Sequence, residues 1–193
     1  MDHRCPDCVR CTLCHLDYLR NVNMSGLEIE RKFLVRKGGA YRSAAFSCKH
    51  IRQGYIPADG VTVRIRLSEE QEVGTAFLTI KGKSQDGGLS RYEFEKEITI
   101  DEAEHLLQLC RGGLIDKHRY LVKSPDGRHT FEVDEFHGDN DGLVMAEVEL
   151  DSADEPFTKP DFIGREVTGD RRFYNKHMLR YPFCLWRDTI EQE

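Results

Sequence analysis

From Leu27 onward, charged and apolar residues alternate with a period of two in seven separate segments. Successive side chains on a strand point to opposite faces, so each such segment is a strand with one charged and one apolar face. Glu28, Glu30 and Lys32 share a face opposite Ile29, Arg31 and Phe33. Arg64 and Arg66 oppose Val63, Ile65 and Leu67, and Lys81 lies with Thr79 opposite Leu78 and Ile80. Arg91, Glu93, Glu95 and Glu97 oppose Tyr92, Phe94 and Ile98. Lys117 and Arg119 oppose Tyr120 and Val122, while Glu132 and Asp134 oppose Phe131 and Val133. Glu147 and Glu149 oppose Ala146, Val148 and Leu150.

Adding the segment at 48–56 gives eight strands, at about 27–36, 48–56, 61–69, 75–82, 90–99, 115–123, 129–136 and 143–151. Gly, Asp and Pro clusters separate them at hairpin spacing: Pro57-Ala58-Asp59-Gly60, Asp86-Gly87-Gly88, Pro125-Asp126-Gly127 and Asp139-Asn140-Asp141-Gly142. One helix interrupts the series. Asp101 followed by Glu104 has capping-box spacing, Ala103, Leu106, Leu107 and Cys110 form an apolar stripe, and Gly112-Gly113 stops it. Short helices are expected near 39–46 and 172–180.

Two architectures accommodate such strands. An open sheet would put its charged face in water, but a solvated face normally mixes Thr, Ser and Gln with its charges, and here nearly every position is a carboxylate, Arg or Lys. A closed barrel would turn the charges inward around one small ligand. Buried charges need partners, supplied by one another or by a polyanion with metal ions. Paired carboxylates are hard oxygen ligands suited to magnesium or manganese, and Arg and Lys suit phosphoryl oxygens. Together they point to phosphoryl chemistry. The Gly-rich phosphate loop that ends in Gly-Lys-Ser/Thr is absent, since Gly82-Lys83-Ser84 lacks the preceding glycine at the required spacing.

The chain of 193 residues is long enough for one domain with a proper core. A net charge of −6 argues against a nucleic-acid binder. No apolar run is long enough to span a bilayer and no secretory signal is present, so the expected location is the cytoplasm, with no membrane partner. Four of the seven cysteines, Cys5, Cys8, Cys11 and Cys14, stand in a run before His15. The spacing is compatible with zinc or an iron–sulfur cluster, but the segment is short, and Met24-Ser25-Gly26 reads as a start. The expected organisation is a cysteine-rich tail over 1–24, a folded domain over 25–185 and a C-terminal tail over 186–193.

Leu27-Glu28-Ile29-Glu30-Arg31-Lys32-Phe33 resembles the Glu-x-Glu-x-Lys signature of the CYTH superfamily, the triphosphate tunnel metalloenzymes. The resemblance runs to about residue 182. It includes Gln53-Gly54-Tyr55, Arg64-x-Arg66, Thr79-Ile80-Lys81, Arg91-Tyr92-Glu93-Phe94-Glu95, Lys117-His118-Arg119-Tyr120, Glu132-Val133-Asp134, Ala146-Glu147-Val148-Glu149-Leu150 and Gly164-x-Glu166-Val167-Thr168. It implies a mainly β, α+β fold: a closed eight-stranded antiparallel barrel with a charged interior and a few peripheral helices. It implies metal-dependent hydrolysis of a triphosphate, inorganic triphosphate first and nucleoside or thiamine triphosphate after it, with Mg2+ or Mn2+. A class IV adenylyl cyclase and a non-catalytic polyphosphate or nucleotide binder are the alternatives. On this resemblance Glu28, Glu30, Glu147 and Glu149 bind metal, and Glu28, Glu30, Asp134 and Glu149 form the catalytic set. Lys32, Arg64, Arg66, Lys81, Lys117 and Arg119 hold the phosphates, and Glu93, Glu95 and Glu132 support the acidic side. Phe131 and Phe162 stand where relatives often carry Trp. His118 falls on the face opposite Lys117 and Arg119, where it packs, and His137 is expected in a turn.

Overall fold

A computed structural model describes residues 29–82 and 93–190. The cysteine run, His15, Glu28, the Gly87-Gly88 turn and Arg91 lie outside the described residues. The elements in chain order are β1 (Ile29–Val35), α1 (Tyr41–Ala44), β2 (Ser47–Ile56), β3 (Thr62–Glu70), β4 (Val73–Lys81), β5 (Glu93–Ile98), α2 (Ile100–Leu107), β6 (Ile115–Lys123), β7 (Thr130–Phe136), β8 (Val144–Leu150), β9 (Ile163–Glu166) and α3 (Asn175–Met178). Short 3-10 turns follow β7 at Gly138–Asn140 and shape the C-terminal segment at Arg171–Phe173, Phe183–Leu185 and Arg187–Thr189.

All nine strands belong to one antiparallel sheet, in the order β5-β4-β3-β2-β6-β7-β8-β1-β9. This corrects the expected closed eight-stranded barrel in two respects. A ninth strand, β9, adds to β1, with a register irregularity between Phe33 and Val35. Among the described residues the two outer strands, β5 and β9, are not hydrogen-bonded to each other. The sheet is nevertheless strongly curled. In a flat sheet β2 and β1 would lie four strand spacings apart, about 19 Å, yet Tyr55 of β2 feels the charges of Lys32 on β1 and Glu147 on β8. The C-terminal segment bridges the same gap. Tyr174 lays its ring 5.4 Å from the Lys32 ammonium, and Lys176 Nζ donates to Thr62 Oγ1 of β3 at 3.3 Å.

The alternation decides which face curls inward. The apolar faces are convex and are covered from outside. Phe33, Phe131, Val133, Ala146, Val148 and Leu150 pack with Tyr41 of α1 and with Phe162 and Ile163. Ile65, Leu67 and Ala76 pack under Ala103 and Leu107 of α2. Each fully buried large side chain of this kind contributes about 1.5–3 kcal/mol. The concave face is charged along its middle and apolar at one end. There Ile115, Phe136 and Met145 meet Val167, Phe173, Met178, Phe183 and Trp186, so the core extends through the C-terminal segment.

Helix α2 begins two residues earlier than the Asp101 cap predicts. Thr99 is the N-cap: its Oγ1 accepts from the Glu102 N–H at 3.2 Å, and Glu102 Oε2 accepts from the Thr99 N–H at 2.8 Å. Two capping boxes overlap in the sequence. The earlier one wins because Glu104 is used elsewhere, accepting from Arg52 Nη2 at 2.5 Å.

Candidate active site

The inward side chains of seven strands form one charged lining, and strand register fixes which of them meet. Arg119 of β6 lies opposite Asp134 of β7, Glu132 opposite Glu147 of β8, and Glu147 and Glu149 opposite Lys32 and Glu30 of β1. On the other wall Arg64 of β3 lies opposite Thr79 of β4, which lies opposite Glu95 of β5. Lys81 and Glu93 form the next pair.

The deepest group is Asp134, 1% exposed. Arg119 grips it with two bonds, Nε to Oδ1 and Nη2 to Oδ2, both 2.7 Å, and Lys117 Nζ donates to Oδ2 at 2.5 Å. Burial opposes its charge, but Arg119 and Lys117 outweigh burial and hold the carboxyl well below the usual carboxylate range. Lys117 is 0% exposed, and burial together with the Arg119 charge pulls its pKa down to about 8 against the attraction of Asp134. Arg119 also reaches Glu132, and Glu147 Oε2 at 3.4 Å. Lys32 donates to Glu147 and lies 2.9 Å from Glu30 Oε1. Burial disfavours that ammonium, yet Glu147 and Glu30 raise its pKa above the ordinary lysine value. Glu147, also buried, is pulled down by Lys32 and Arg119. Glu30 and Glu149 are exposed and mark the open end of the lining.

The opposite wall has cations to spare. Arg64 Nη2 donates to Thr79 Oγ1 at 3.1 Å and to Glu95 Oε2 at 3.4 Å, but its Nε is buried without a partner among the described residues. Lys81 pairs with Glu93 at 2.9 Å. Arg66 donates from Nε to Gln53 Oε1 at 3.3 Å, and among the described residues no carboxylate pairs with it. Burial, with Arg64 and Arg119 nearby, lowers its pKa to about 10. Buried donors that lack acceptors are costly, so this wall is complementary to an anion with several oxygens.

Every described residue expected at the site therefore faces the same lining. The carboxylates Glu30, Glu147 and Glu149 provide only oxygen donors, a chemistry that fits a hard divalent ion. Among the described residues no three potential ligands converge tightly enough to hold a metal by themselves, and the Lys32 ammonium lies between Glu30 and Glu147. His118 faces outward, as alternation predicts. Its Nδ1 lies 2.7 Å from His137 Nε2, and its ring stacks on His50 at 4.9 Å between centroids. His137 precedes the 3-10 turn at Gly138–Asn140.

Sequence reasoning assigned no role to Gln53 or Tyr55, both on the inward face of β2. Gln53 is 0% exposed, and its Nε2 donates to Tyr55 Oη at 3.2 Å. The available signal was their period-two placement beside Arg66 and Arg64 in register, on a strand whose inward positions are mostly uncharged. A cleft of about 560 Å3 on the C-terminal segment is lined by Gly169, Arg171, Tyr174, Lys176, His177 and Arg180, with none of the carboxylates, and adjoins the lining through Tyr174 on Lys32.

The structure is thus a curled antiparallel sheet with carboxylates and bases across its inner face. The CYTH domain family model matches residues 26–174, and the chain belongs to that family. It is 46% identical over 165 residues to an inorganic triphosphatase of Acetivibrio thermocellus, covering 84% of this chain and 99% of the relative. It is 39% identical over 153 residues to an inorganic triphosphatase of Nitrosomonas europaea, covering 77% and 94%. Among solved structures, a crystal structure of an inorganic triphosphatase is similar with a TM-score of 0.54 and 34% identity, covering 79% of this chain and 93% of that one. A putative adenylyl cyclase from Hippeastrum shares the fold at a TM-score of 0.50 and 15% identity, over 65% and 81% of the two chains.

Proposed function

We propose that this protein is a divalent-metal-dependent inorganic triphosphatase, cleaving triphosphate and water to pyrophosphate and phosphate. The observation that carries the reading is the guanidinium capacity left over on one wall: among the described residues the buried Arg64 Nε has no partner and Arg66 pairs with no carboxylate, and both face a wall of carboxylates. A linear polyanion supplies the missing acceptors, and the two relatives named as inorganic triphosphatases support that choice of polyanion.

In this reading Arg64, Arg66 and Lys81 hold phosphoryl oxygens from one wall, and Lys32, Lys117 and Arg119 hold them from the other. Arg and Lys neutralise charge that builds on the leaving bridging oxygen when water attacks phosphorus. Glu30, Glu147 and Glu149, with Glu28, would hold Mg2+ or Mn2+, which supplies Lewis-acid polarisation of phosphoryl oxygens. Asp134 acts as a positioning residue: both of its oxygens are committed to Lys117 and Arg119. Glu132 fastens Arg119, while Glu93 and Glu95 orient Lys81 and Arg64.

The test is release of phosphate and pyrophosphate from triphosphate by the purified protein with magnesium or manganese. Glu30→Gln removes an exposed carboxylate, so the fold should hold while turnover falls by about 100-fold or more. Cyclic AMP from ATP as the main product would redirect the reading to a cyclase. Saturable binding of triphosphate without turnover would redirect it to a binding module.

A further inference from the structure

We propose that Gln53 is a positioning residue that sets the direction of the Tyr55 hydroxyl proton and the pose of the Arg66 guanidinium. The inference rests on the triphosphatase reading and adds to it a residue outside the charged set.

The orientation of the Gln53 amide follows from its neighbours. Arg66 Nε can only donate, so the amide atom 3.3 Å away is the carbonyl oxygen. The other end is then the NH2 group, which can only donate, and it lies 3.2 Å from Tyr55 Oη. Tyr55 must therefore accept from Gln53, and its own proton points elsewhere. The charged groups acting most strongly on the phenol are Arg64, Arg66, Glu147 and Lys32. Arg64, Arg66 and Lys32 are pure donors and cannot receive the proton. Among the described residues the Tyr55 hydroxyl donates no hydrogen bond, and it stands on the inward face of β2 opposite Arg64, so its outlet is a phosphoryl oxygen of the substrate. Gln53 also fixes Arg66 through Nε, which leaves the two terminal nitrogens for substrate. The side chain has no freedom to do otherwise. It is 0% exposed on a central strand, between Ile115 of β6 and Arg66 of β3 in register. One neutral amide thus makes Tyr55 a donor toward the substrate without placing another charge in the lining.

The two links separate in kinetics. The Tyr55 link acts on charge developing in the transition state and so on kcat, and the Arg66 link acts on binding and so on KM. The experiment is a double-mutant cycle on triphosphate hydrolysis with Gln53→Met, Tyr55→Phe and the pair. Tyr55→Phe should lower kcat by about 100-fold, the loss typical of one oriented donor. Gln53→Met should lower kcat by about 10-fold or more and raise KM. In the Tyr55→Phe background, Gln53→Met should still raise KM but leave kcat unchanged. Multiplicative kcat losses, or a wild-type kcat in Gln53→Met, overturn the assignment while the triphosphatase reading stands. If Gln53→Met does not fold, Gln53→Glu gives the answer: its carboxylate accepts from both neighbours, draws the Tyr55 proton away from the tunnel and should reproduce the kcat of Tyr55→Phe. A wild-type kcat in Gln53→Glu overturns the proposal. Absence of turnover by the wild-type protein overturns both readings.

Discussion

Lys117 shows how much one side chain can be made to report. Its ammonium is fully buried against Asp134, and burial with Arg119 brings its pKa from an ordinary 10.5 to about 8. The folded value lies below the unfolded one, so between these pH values the unfolded chain binds more protons. The contribution of this group to stability therefore rises with pH across that window and is level below it, where Lys117 is charged in both states. A polyanion placed against Lys117 favours the charged form. At pH 9, then, binding triphosphate should return a proton to it. Calorimetric titration without divalent metal, in two buffers of different ionisation enthalpy, measures the proton count. Wild type should take up more protons than Lys117→Arg, whose guanidinium stays charged at every pH used. Equal counts would remove Lys117 as the titrating group. The charged members of the lining were legible in the sequence because charge alternation is a local signal. Gln53-Gly54-Tyr55 carries part of the resemblance, but roles for Gln53 and Tyr55 were not legible, because a neutral amide and a phenol acquire them only from Arg66 across the strand pair.

At the scale of elements, β2 is the strand that must serve both faces. Gly54 points outward where the segment joining α2 to β6 crosses it. A Cβ there would lie 2.6 Å from Cys110 Sγ and 2.7 Å from Leu114 Cδ2. Gly54→Ala should therefore cost about 1–3 kcal/mol through overpacking, seen as a lower thermal midpoint, with KM for triphosphate unchanged because the inward neighbours keep their places. An unchanged midpoint would show that the crossing segment is not seated on β2. Eight strands follow from alternation and turn residues, but three features needed tertiary context. β9 spans four residues and makes an irregular pairing with β1, so it has no period of its own. The β3–β4 turn uses Gln71 and Glu72 at φ of 48° and 68°, where the usual Asn-Gly signal is missing. The start of α2 depends on a choice between two capping boxes that Arg52, a residue of another element, tips. The absence of β5–β9 pairing among the described residues has a similar origin, since the curl of a sheet is a sum over all its strands.

Over the whole molecule, carboxylates are held in their charged form by neighbouring cations, some from distant parts of the chain, as Arg42 is from Glu135 and Arg31 from Glu166, and some local, as Arg172 is to Asp170. Asp134 and Glu147 are held so inside the lining. Outside it, Arg42 and Tyr41 lower Glu135, Arg31 lowers Glu166, and Arg172 lowers Asp170. Folded values below unfolded ones contribute stability that is present above the unfolded range of 3.8 to 4.5 and lost as pH falls through the folded values. Unfolding free energy should be nearly level from pH 7 to about 5 and drop steeply below about 4. Asp134→Asn should be about 3–5 kcal/mol less stable at pH 7, since it leaves Lys117 and Arg119 buried without their counter-charge, and its acid limb should be shallower. A wild-type stability unchanged between pH 7 and 3 would contradict this account. The pairing of β1 with β8 bears on how the molecule comes into being. Lys32 and Glu147 meet across 115 residues of chain, and contacts of that span close slowly because the intervening loop must first be ordered. The first of the described strands thus waits for one of the last. Until β8 has emerged, Glu30 and Lys32 have no partner strand on that side, and no nascent fragment short of it contains the assembled lining. The lining is therefore completed late, only when β8 has been added beside β1.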